Sequence, residues 1–119
     1  MAVAFVALLL GVARPPQAYV SVGTARVPLA ISSWCWRSRC GAPIAASKRT
    51  ATVRRGSTVT VVFTFAPTRA RVAVDGVPQR ALTSGKRVSW RAAKAGGITI
   101  AVTARPGWIT YVGRLAVRR

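Results

Sequence analysis

Histidine is absent from the chain, and Asp75 is its only acidic residue. Those two shortages remove the imidazole general base, paired carboxylates, Ser-His-Asp and Cys-His arrangements, and the ligand sets of nearly every zinc, transition-metal or calcium site. The phosphate-cradling G-x-x-x-x-G-K loop is missing too. Ser47-Lys48 and Ser84-Gly85-Lys86 set serine beside lysine, but too closely for the S-x-x-K spacing of a helical dyad. We therefore expect no catalytic residue, no metal and no cofactor: the chain reads as a non-enzyme.

Long apolar runs are scarce as well. A membrane span needs roughly 20 apolar residues, whereas the longest stretch here, Ala2 to Ala13, stops at Arg14-Pro15-Pro16. About a dozen apolar residues ending in Gly11-x-Ala13 match the core and cleavage signal of an export leader. The competing reading is a buried core helix cut off by the prolines. The expectation is a signal peptide over 1–13, cleaved after 13 or after 18, with 14–18 as a short linker and a single domain over 19–119. No transmembrane span is expected in the mature chain.

What is abundant is positive charge. Nineteen Lys and Arg against one acid give +18, where a small domain usually carries a net charge of roughly 2–8 in magnitude. Such a chain makes almost no internal salt bridges, so its fold must rest on apolar burial and backbone ladders, against self-repulsion. Half of the residues are hydrophobic, which is too many for a disordered basic tail.

From Tyr19 onward the hydrophobic period is two. Tyr19–Val22 reads as a first strand. Val27, Leu29 and Ile31 alternate along a second, which Pro28 consigns to an edge. Thr50–Arg54 follows. In Thr58–Phe65, Val59, Val61, Phe63 and Phe65 alternate with threonines and Val62. Arg69–Val74 turns Arg69 and Arg71 outward and ends at Asp75-Gly76, a strong turn dipeptide. Arg87–Arg91, Ile98–Thr103 and Trp108–Val117 complete the set, with Ile109, Tyr111, Leu115 and Val117 on one face. About seven short strands between Gly and Pro turns predict an all-β, immunoglobulin-like β-sandwich.

The densest chemistry lies in Ser32–Cys40. In an exported protein Cys35 and Cys40 read as one disulfide; C-x4-C is not the C-x-x-C of a redox dithiol. Trp34 and Trp36 share the face opposite Cys35. Either they plug the core, or they form an aromatic platform with Arg37 and Arg39 beside it, able to stack on rings while guanidinium groups grip an anion. Trp34, Trp36, Arg37, Arg39, Arg69 and Arg71 are the candidate ligand-binding residues; Trp90 and Trp108 are assigned to the core.

Ser33, Cys35, Trp36, Cys40, Gly41 and Pro43, followed by Phe63, Phe65 and Pro67, form an S-x-C-W…C-G-x-P…F-x-F-x-P pattern. It resembles small, largely uncharacterised exported bacterial proteins with an immunoglobulin-like β-sandwich, and the resemblance implies location and fold. The functional expectation is a secreted, cationic binding or structural module associating with anionic cell-envelope polymers or lipid headgroups. The alternative is an intracellular basic protein that binds nucleic acid, for which no RNP, KH or helix-turn-helix signal is present.

Overall fold

A computed structural model describes residues 14–46 and 50–119; the expected leader over 1–13 and the Ser47-Lys48 pair lie outside the described residues. Every regular element among them is a strand. In chain order these are β1 (Ala18–Val22), β2 (Ala25–Pro28), β3 (Ala30–Trp36), β4 (Arg39–Gly41), β5 (Ala51–Arg54), β6 (Thr58–Phe63), β7 (Arg69–Val74), β8 (Val77–Pro78), β9 (Leu82–Ser84), β10 (Arg87–Arg91), β11 (Gly96–Ala104) and β12 (Gly107–Arg118). They form two sheets. One has the order β2-β1-β6-β10-β9, the other β4-β3-β12-β11-β7-β8, with β5 running parallel to the end of β12.

The alternation seen in sequence decides which side of each strand is buried. Val59, Val61 and Phe63 of β6 and Val88 and Trp90 of β10 point inward from the first sheet. Val72 of β7, Ile98, Ile100 and Val102 of β11, and Ile109, Tyr111 and Leu115 of β12 answer from the second. An aromatic series threads the interior. Trp36 meets Phe65 edge-on at 5.0 Å, Phe65 lies 5.4 Å from Phe63, and Phe63 lies 5.7 Å from Tyr111. Among the described residues no charged or polar side chain is buried, as a core without salt bridges requires.

Three expectations about the chain path need revision. The strand read across Val27, Leu29 and Ile31 is two strands: β2 stays in the first sheet and β3 crosses to the second. Leu29, the residue between them, is buried while its amide donates to Ala18 at 2.9 Å. Second, 14–18 is not a free linker. Pro15 is buried, the Tyr111 hydroxyl donates to the Pro16 carbonyl at 2.7 Å, and Ala18 already pairs with Phe63. Third, the described strands number twelve rather than about seven, because β4, β8 and β9, each two or three residues long, carry no readable alternation and β2 and β3 divide.

Candidate anion-binding surface

The Ser32–Cys40 segment folds as a hairpin rather than a loop. Trp34 pairs with Gly41, Cys35 with Cys40 and Trp36 with Arg39, leaving Arg37-Ser38 as a two-residue turn. Both turn residues have positive φ, 50° and 66°, which is the type I′ geometry that matches strand twist and favours Asn-Gly. Neither residue is suited to it. The Cys35–Cys40 bond, joining Cα atoms 4.0 Å apart, ties the two strands one step behind the turn. Closing so short a loop removes about 2 kcal/mol of unfolded-state entropy, enough to offset the conformational cost of a turn built from ordinary residues.

Trp34 and Trp36 are the inward residues of this hairpin, at 9% and 8% exposure. The Trp34 indole lies over Gly41, where a β-carbon would collide with the ring, and donates from Nε1 to the Ala42 carbonyl at 2.9 Å. Trp36 packs on Phe65. The two therefore supply core, not a platform. Trp90, 4% exposed, is core as expected.

Trp108 is the reverse. Assigned to the core from its sequence setting, it is 42% exposed. Its position explains why: Ile109 and Tyr111 point inward, so residue 108 must point outward, the period being two. The signal was in the sequence, since Trp108 is out of phase with the apolar face of its own strand.

Register then sets what surrounds it. Directly opposed residues on neighbouring strands share a face. Reading across the outer surface of the second sheet, one row runs Cys40, Cys35, Trp108, Thr103, Arg69. The next runs Ser33, Thr110, Ala101, Arg71. Trp108 thus stands between the disulfide and Arg69, with only small or hydroxylated neighbours. At roughly 4.8 Å per strand, Trp108 and Arg69 are about 10 Å apart along the row. A depression of about 490 Å³ adjoins this rank, lined among others by Arg71, Ala73, Gln79, Thr99 and Ala101.

The turn arginines come to the same end. The β11–β12 connection is Arg105-Pro106, and the Arg37 amide donates to the Pro106 carbonyl at 2.8 Å, locking the two hairpin tips together. Arg37, Arg39, Arg69, Arg71 and Arg105 are all exposed. The one carboxylate is elsewhere. Asp75 sits past the far end of β7, accepting from the Gly97 amide at 2.7 Å, about 20 Å from Arg69 by strand rise.

Of the six candidate binding residues, the fold thus gathers Arg37, Arg39, Arg69 and Arg71 at one end of a sheet and withdraws both tryptophans. It adds Trp108 and Arg105, which sequence reasoning missed. Nothing in Arg105-Pro106 distinguished it from any other turn; only the pairing of two hairpins brings it there. Among the described residues no group of three or more Cys, Asp or Glu side chains forms a metal-binding cluster.

No protein family, curated protein or solved structure matches this chain.

Proposed function

We propose that this chain is an exported cationic module, immunoglobulin-like in topology, that docks on anionic surfaces or polymers of the cell envelope. The observation that carries the reading is the end of the second sheet where Trp108 stands exposed on the same face as Arg69 and Arg71, with Arg37 and Arg105 in the adjoining turns and Arg39, opposite Trp36, at the same end on the other face, while Asp75 lies at the opposite end. A scattered basic surface needs no exposed tryptophan. A binding face gains from one, because a guanidinium grips the anion while the ring supplies apolar contact.

The topology supports the immunoglobulin-like part. The order β1-β6-β10-β9 corresponds to the ABED sheet of that fold, and β12-β11-β7 to its GFC sheet. The β2-β3-β4 excursion is then an insertion between the first strand and β5. The Cys35–Cys40 pair is in keeping with an oxidising compartment, and no helix among the described residues is long and apolar enough to cross a membrane.

Co-sedimentation with purified cell envelopes over a salt titration tests the reading. Retention at low salt that falls steeply with ionic strength is expected, as for exposed charges screened over a Debye length of ~10 Å at 0.1 M. Retention indifferent to salt, or none at low salt, contradicts it.

A further inference from the structure

We infer that the outer face of the second sheet is a binding site for an acidic polysaccharide, with a sugar ring on the Trp108 indole and sugar carboxylates on Arg69 and Arg71. The inference rests on the proposed docking to anionic envelope material and names its ligand class.

Three features of the face point to rings that carry charge rather than to bare polyanion. Trp108 is 42% exposed on a β-strand whose buried residues, Ile109, Tyr111 and Leu115, lie on the other face. A polyphosphate or a simple anion would gain nothing from it. Next, its flanking positions are Thr103, Thr110 and Ala101, which leave the indole accessible and set hydroxyl donors and acceptors at its rim. Finally, Arg69 and Arg71 occupy the ends of two successive cross-strand rows, so one chain laid across the strands meets the ring first and a guanidinium about 10 Å further on. The depression bordered by Arg71, Ala73, Gln79 and Thr99 extends that track for a second unit.

Single-stranded nucleic acid fits this face less well. Proteins that bind it offer successive aromatic side chains, one for each stacked base. Trp108 is the only large aromatic side chain classed as exposed among the described residues; the other tryptophans serve the core.

The test is tryptophan fluorescence and affinity with four probes at low salt: alginate oligosaccharides (acidic rings), dextran (neutral rings), inorganic polyphosphate (charge without rings) and oligo-dT. Trp108→Ala should weaken alginate binding at least about fivefold and abolish the ligand-induced fluorescence change. Trp108→Phe should keep most of the affinity. Arg69→Gln with Arg71→Gln should weaken alginate and polyphosphate alike, while Trp108→Ala leaves polyphosphate within about twofold. Far-UV spectra and melting curves confirm that the variants are folded. Alginate binding unmoved by Trp108→Ala overturns the ring contact but leaves charge-driven docking standing. Dextran binding as tightly as alginate also overturns the inference, as does oligo-dT binding more tightly than alginate in a Trp108-dependent way. Failure of every polyanion at low salt removes the docking reading itself, and the inference with it.

Discussion

Tyr111 is a fully buried side chain whose single polar atom reaches back to the Pro16 carbonyl. Burial pushes its phenol well above the ordinary tyrosine range, because the phenolate has no water to solvate it. A folded-state pKa raised above the unfolded value of ~10 contributes stability that is complete below pH ~10 and is lost as pH climbs through the folded value. Tyr111→Phe should cost about 1 kcal/mol at neutral pH, the worth of one hydrogen bond. Urea melts of the two proteins should converge as pH rises above about 10, and a constant gap would contradict the assignment. Ser38 gives a second test at this scale. Its φ of 66° belongs to glycine, so Ser38→Gly should stabilise the protein by about 1 kcal/mol, read as a higher melting temperature. A lower one would show that the turn is not type I′. Trp108 shows what sequence does disclose about a residue: parity with Ile109 and Tyr111 already placed it outward. The apolar face of the strand was read correctly; its consequence for the residue between was not.

At the scale of elements, the legible strands were those with three or more alternating apolar residues, such as β6, β7, β11 and β12. Those are the central strands, where one face is wholly buried. β4, β8 and β9 are edge strands whose pairing is set by their neighbours and not by their own pattern; Leu82 of β9 is 76% exposed. The crossing of β2 into β3 was hidden because Val27, Leu29 and Ile31 keep one continuous alternation while the chain changes sheets. The N-terminal segment was equally hidden, since Arg-Pro-Pro-Gln has no period at all. It nonetheless packs, and truncation tests this. A chain beginning at Pro15 should melt like the full-length protein. One beginning at Tyr19 loses Pro15, the acceptor of Tyr111 and the Ala18 ladder contacts, and should be less stable by at least about 3 kcal/mol. Equal stabilities would return 14–18 to the role of linker. Of the two cleavage points the sequence leads one to expect, one after 13 would preserve these contacts and one after 18 would remove them.

For the molecule as a whole, charge is the unfavourable term that the composition makes unusually large. With +18 spread over one domain, repulsion weakens the compact state, and salt relieves it. The melting temperature should therefore rise as sodium chloride is raised from about 10 to 200 mM; a fall would contradict net repulsion as the term that salt relieves. The sum of the charges is legible in the sequence and their arrangement is not. Arg37, Arg39, Arg69 and Arg71 come together because β3, β12, β11 and β7 are adjacent in one sheet, and adjacency of that kind is written in the strand pairing alone. The same pairing carries the proposed site, which makes it open to residue-by-residue mapping. The direct measurement is an amide and indole chemical-shift titration of the protein with alginate oligosaccharides. The account predicts that shifts concentrate at the Trp108 indole N–H and at Cys35, Thr103, Thr110, Arg69 and Arg71. Shifts spread evenly over all arginines, or centred on Arg87 and Arg91 of the opposite sheet, would contradict it.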